Sequence, residues 1–183
     1  MQVYIIHGFE SNPKRNWFPW LQENLILNNI NAFTPTLPNS STPNVDEWLE
    51  TLSKECKNID ENTYFVAHSL GCLITLLFLQ KINKKIGGII LVSGFSKLVN
   101  HLPLLENFTK TSLDYENLIK LSPKRLIIAA RDDYIIPLNL THNLAKNLRA
   151  SYVEFEKGGH FMQEDGFTKM PLILNTLLYF NKF

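Results

Sequence analysis

Residues 63–72 read Thr63-Tyr64-Phe65-Val66-Ala67-His68-Ser69-Leu70-Gly71-Cys72. Thr63–Ala67 is an apolar run of strand length. Leu70 to Ile82 is nearly all apolar and predicts a central buried helix. Between them sits a serine with a small residue two positions away on either side. This is the G-x-S-x-G strand–turn–helix pattern with Ala67 in the first glycine place. Small neighbours let strand and helix approach across a sharp turn that exposes the serine. The turn also frees the Leu70 backbone N–H at a helix N-terminus, where it can face a developing oxyanion. On the five residues alone, Ser69 reads equally well as a helix N-cap. The apolar strand before it and the buried helix after it favour a nucleophile.

The same alternation extends outward in both directions. Val3–Ile6, Ile89–Ser93, Leu126–Ala130 and Tyr152–Phe155 read as further strands, and Ala32–Thr36 as a weaker one ending at Pro38. Several are continuously apolar, as expected of strands covered on both faces. Helical periodicity fills the gaps over Trp17–Leu27, from Asn44 onward, from Leu138 onward and over Pro171–Phe180. Asn44 is a predicted N-cap with Glu47 closing a capping box. Residues 1–183 therefore read as a single α/β domain: a mostly parallel sheet of about six strands with helices on both faces. In such sheets ligands bind beyond the carboxyl ends of the strands, so the residues after each strand are where chemistry is sought. The gap from Ser96 to Lys124 is too short for a large cap domain. It has room for two short helices, with Leu102, Leu104, Leu105 and Phe108 shielding a shallow pocket.

Composition narrows the function classes. Hydrophobic residues at 45% exclude a disordered chain, and a net charge of +1 argues against a nucleic-acid partner. Two cysteines, Cys56 and Cys72, read as reduced thiols rather than a disulfide. No signal peptide or membrane-length apolar run is visible, so a cytoplasmic protein with no membrane partner is expected. No H-E-x-x-H or paired Cys/His spacing points to zinc, and neither metal nor cofactor is expected.

A serine hydroxyl needs a base. Of five histidines, His160 follows the last strand in Gly158-Gly159-His160-Phe161, and the glycines permit a loop that delivers it. His7 and His68 read as structural, His101 and His142 as surface residues. An acid is needed to fix the imidazole tautomer. Strand Leu126–Ala130 runs into Arg131-Asp132-Asp133-Tyr134, so the chain order is Ser69, then Asp132 or Asp133, then His160. The second of these aspartates lies further into the loop, and Asp132 is better placed to accept backbone N–H groups. After the first strand comes His7-Gly8-Phe9, where the Phe9 N–H is a candidate second oxyanion donor.

On these stretches, together with VYIIHGFESNPKRNWFPWL, GGIILVSGFSK, ARDDYIIPL and KGGHFMQEDGF, the chain resembles the α/β-hydrolases. Within them it is most similar to the small YdeN-like serine hydrolases, a group related to the retinoblastoma-binding serine hydrolases. The resemblance implies Ser69 as nucleophile, His160 as base and, four residues before Pro137, Asp133 as acid. Ala67 in the elbow is a replacement that the YdeN-like branch shows. The L-x-C-x-E segment of the retinoblastoma-binding relatives is absent, because Leu70-Gly71-Cys72-Leu73-Ile74 lacks its acidic end; their protein partner is not carried over. The expected activity is hydrolysis of a small-molecule acyl ester, with amide cleavage as an alternative. A rival of another class is an inactive protein-interaction module, which rests on Trp17, Phe18 and Trp20 read as exposed.

Overall fold

The computed structural model describes residues 1–182. Strands and helices alternate: β1 (Gln2–Ile6), α1 (Phe18–Leu27), β2 (Asn31–Phe33), α2 (Val45–Glu55), β3 (Thr63–His68), α3 (Leu70–Ile82) and β4 (Gly88–Val92). Then follow α4 (Glu106–Thr109), α5 (Tyr115–Leu121), β5 (Lys124–Ala130), α6 (Leu138–Asn147), β6 (Ser151–Phe155) and α7 (Pro171–Phe180). The six strands form one sheet in the order β2-β1-β3-β4-β5-β6, and every pairing is parallel. Strand order reverses between β1 and β3. The segments after these two neighbours, carrying Phe9 and Ser69, therefore meet at the place where such sheets bind ligands.

Side chains alternate across the strands and divide the core in two. Phe65 and Ala67 face a cluster with Trp48 and Leu52 of α2, Leu73 and Leu77 of α3, Phe108 of α4 and Leu144 of α6. Tyr64 and Val66 face Leu21 and Leu25 of α1 and Ile173 and Leu177 of α7. Helix α3 buries every residue from Leu70 to Leu79, which explains its unbroken apolar sequence. Gly71 sets how close it comes to β1. A Cβ there would lie 2.5 Å from the carbonyl oxygens of both Ile6 and His7, a clash with backbone that no rotamer relieves.

Some expectations change. Strand β2 pairs with β1 over three residues and stops before Pro35, which lacks the N–H to continue the ladder. Asn44 does cap α2, its side chain accepting from the N–H groups of Asp46 and Glu47. Glu47 does not close the box; its carboxylate accepts from Asn39 Nδ2 at 3.2 Å. Trp17 and Phe18 are buried rather than exposed, because the chain entering α1 turns both rings inward under the sheet. Residues 96–123 carry a 3-10 turn at Pro103–Leu105, α4 and α5, and no cap domain. Among the described residues no helix is long and apolar enough to cross a membrane.

Candidate active site

Ser69 sits at the N-cap position of α3 with φ 55° and ψ −125°, a sparsely populated conformation for a residue with a side chain. Its hydroxyl does not cap the helix. The strained turn therefore presents an Oγ that local hydrogen bonding does not consume. Ser69 lines a cleft of about 360 Å³, together with Phe9, His160, Leu102, Leu105 and the ion pair of Arg15 with Glu164. Phe108, expected to shield the site, instead packs beneath it against Trp48, ring centroids 5.3 Å apart. Leu104 points to solvent, and His101, read as a surface residue only, is exposed yet lines the cleft.

His160 and Asp133 form a buried pair, each side chain 3% exposed, with His160 Nδ1 at 2.9 Å from Asp133 Oδ2 and 3.1 Å from Oδ1. A nitrogen facing a carboxylate carries the proton, so Nε2 keeps its lone pair as an acceptor. Asp133 also accepts from the Ser93 hydroxyl at 2.7 Å and from the N–H groups of Ile135 and Ile136 at 2.9 and 2.8 Å. Burial pushes the Asp133 carboxyl up, but the imidazole, the Ile136 N–H and the Ser93 hydroxyl outweigh it and hold it below the ordinary carboxylate range. Asp132 turns elsewhere: its Oδ1 accepts from the N–H groups of Gly158 and Gly159 at 2.7 and 2.9 Å. These bonds also hold its carboxyl below the usual range.

Ser69 and His160 thus share one cleft, and no hydrogen bond joins them among the described residues. Such bonds are often long without substrate and tighten in the substrate complex. The N–H groups of Phe9 and Leu70 likewise have no protein acceptor among the described residues.

The loop carrying His160 is heavily tied. Asp165 Oδ2 accepts from the N–H groups of His160 and Met162 at 2.9 and 3.0 Å, and Tyr134 donates to its Oδ1 at 3.2 Å. Gly159 has φ +52°, and a Cβ there would lie 2.5 Å from the Asp165 carboxylate, so this position calls for glycine on both counts. Asn16 and Gln163 exchange two hydrogen bonds that link this loop to the one carrying Phe9. Sequence reasoning overlooked Ser93 and the loop-tying bonds of Asp165, which it holds only as a fallback acid beside Glu164. Ser93 directly follows β4, so the search for chemistry after each strand had a signal for it.

Two buried histidines frame the turn. His7 accepts from the Leu37 N–H through Nε2 and donates through Nδ1 to the Gly8 carbonyl, both at 3.0 Å. His68 donates through Nε2 to the His160 carbonyl at 2.7 Å. Burial lowers the His7 pKa and pushes that of His68 down to about 3, so both rings stay neutral in the fold. In the unfolded chain each titrates near ~6.5. On acidification below that value the unfolded state takes up protons that the folded state refuses, and stability falls as pH falls. The loss grows by up to ~1.4 kcal/mol per pH unit for a fully shifted group, from ~6.5 downward. Melting temperatures measured from pH 7.5 to 4.5 should therefore decline below pH ~6.5. A flat profile over that range would contradict the buried neutral rings.

Comparison with known proteins agrees with this architecture. The serine hydrolase family matches residues 3–179. YdeN of Bacillus subtilis strain 168 is 42% identical over 184 residues, covering 99% of this chain and 97% of that protein. The crystal structure of the B. subtilis ydeN gene product superposes with a TM-score of 0.96 at 40% identity, over 100% of this chain and 99% of that one. Est1E from Butyrivibrio proteoclasticus, solved with ferulic acid bound, shares the fold at a TM-score of 0.74 and 14% identity, over 98% of this chain and 87% of its own.

Proposed function

Because the chain belongs to the serine hydrolase family, we propose that it is a carboxylesterase-type enzyme that cleaves small acyl esters through an acyl-enzyme on Ser69. The observation that carries this reading is the buried Asp133–His160 pair opening on the same cleft as an uncommitted Ser69 hydroxyl. Ser69 Oγ attacks the ester carbonyl carbon while His160 Nε2 takes its proton. The carbonyl oxygen becomes an oxyanion that the N–H groups of Phe9 and Leu70 stabilise. The intermediate collapses, and the alcohol leaves with the proton returned by His160. Water then repeats the sequence: His160 removes its proton, hydroxide adds to the acyl carbon, and the carboxylic acid departs as Ser69 is re-protonated. Asp133 holds the tautomer throughout and stabilises the imidazolium. Each step conserves protons within the site and needs no cofactor.

The cleft of about 360 Å³, with Leu102 and Leu105 in its lining, suits a short acyl group. Est1E, which shares the fold, binds ferulic acid, itself a small carboxylic acid. The test is a p-nitrophenyl ester series from acetate to decanoate. The expected result is turnover that favours the short chains, lost when His160 is replaced by alanine. Absence of turnover on every ester, or full turnover in a folded His160→Ala variant, would refute the assignment.

A further inference from the structure

We propose that His68 is a positioning residue for this reaction, its Nε2–H bond to the His160 carbonyl locking the base loop to the strand end that presents Ser69. The inference rests on the assignment of His160 as the base. It begins from alternation along β3. His68 shares the face of Tyr64 and Val66, opposite Ala67, and so points towards α1 and away from α3. There its ring meets three partners. The His160 ring lies 4.8 Å away centroid to centroid, Phe18 6.0 Å and Trp17 6.2 Å. One side chain therefore touches the base loop and the two rings that end the loop carrying Phe9. It is also the residue directly before the candidate nucleophile.

His160 is thereby gripped at three points. Its N–H donates to Asp165, its Nδ1–H to Asp133, and its carbonyl accepts from His68 at 2.7 Å. The first two grips come from loops. The third comes from the sheet itself, the most rigid body available to fix a catalytic geometry. Packing alone does not account for the imidazole. A phenyl ring would fill the same space against Trp17 and Phe18, whereas the imidazole buries an Nδ1 that has no partner among the described residues. The feature that distinguishes His68 from phenylalanine here is the Nε2–H donated to His160. That proton is engaged by the carbonyl and burial keeps the ring neutral, so His68 does not compete with His160 as a base.

The experiment compares His68→Phe, which keeps volume and removes the donor, with His68→Gln, whose Nε2–H can reach the same carbonyl. A misplacement of about 1 Å at a catalytic group costs roughly 10²-fold in rate. His68→Phe should lower kcat on p-nitrophenyl acetate by ~10–100-fold with KM changed by less than ~3-fold, and His68→Gln should recover most of the loss. A second readout needs no turnover. The low-field proton resonance of the His160 Nδ1–H bonded to Asp133 should be sharp in the unmodified protein and in His68→Gln, and broadened or lost in His68→Phe. If the unmodified protein hydrolyses no ester, the functional reading fails and the resonance alone decides the role of His68. If His68→Phe folds with kcat and resonance unchanged, the inference is overturned. If His68→Phe does not fold, His68→Gln is set against His68→Asn, which is too short to reach the carbonyl; equal kcat and equal resonances in that pair overturn it as well.

Discussion

Replacing Ser69 by alanine is expected to lower kcat for ester hydrolysis by ~10⁴–10⁶ while leaving the melting temperature near that of the unmodified protein. The two halves of this result have separate causes. In the proposed reaction the hydroxyl bonds to the acyl group, so its removal leaves only binding and the oxyanion donors. The same hydroxyl does not cap α3, so its loss leaves no capping bond unmade. Alanine also has to adopt φ 55°, as serine does, and the strain of the turn is unchanged. Parallel assays of turnover and thermal unfolding check both halves. An alanine variant with undiminished turnover, shown free of contaminating esterase, would remove Ser69 as the nucleophile.

Asp133→Asn should cost up to ~10⁴ in kcat. The amide keeps an oxygen for the N–H groups of Ile135 and Ile136, so the loop stays in place. Towards His160 it presents an NH₂ donor where a carboxylate stood. The imidazole then turns its proton to Nε2, the atom that accepts from Ser69 in the proposed reaction. Asp132→Asn provides the contrast. Asp132 accepts from Gly158 and Gly159, and an amide oxygen can still do so. That variant should show a modest fall in melting temperature and a small kinetic change. Activity lost with Asp132→Asn and kept with Asp133→Asn would reverse the assignment. If both variants keep activity, Asp165, which holds the His160 backbone, becomes the next candidate acid.

Local signals in the chain located the elements well wherever burial was uniform. Helix α3 spans Leu70–Ile82 and α7 spans Pro171–Phe180, as the apolar runs indicated, with proline in the first turn of α7. The inner strands β1, β3, β4 and β5 were legible because a parallel sheet buried on both faces leaves continuous apolar runs, whereas the edge strands β2 and β6 are only partly covered. The edge strand β2 is shorter than the run Ala32–Thr36 because Pro35 lacks the N–H to continue the ladder. The geometry within the site was less legible, for a physical reason. The His68–His160 bond spans 92 positions and the Ser93–Asp133 bond 40, and no local periodicity encodes which strand ends become neighbours. The inward turn of Trp17 and Phe18 depends likewise on a strand distant in sequence.

The most direct test of the central claim is a fluorophosphonate probe applied to the folded protein, with the adduct located by peptide mass spectrometry. Such probes react with a serine that a base has activated. The account predicts a single adduct on the peptide containing Ser69, absent from Ser69→Ala and strongly slowed in Asp133→Asn. No adduct on folded protein, or an adduct on any other residue that persists in Ser69→Ala, would contradict it.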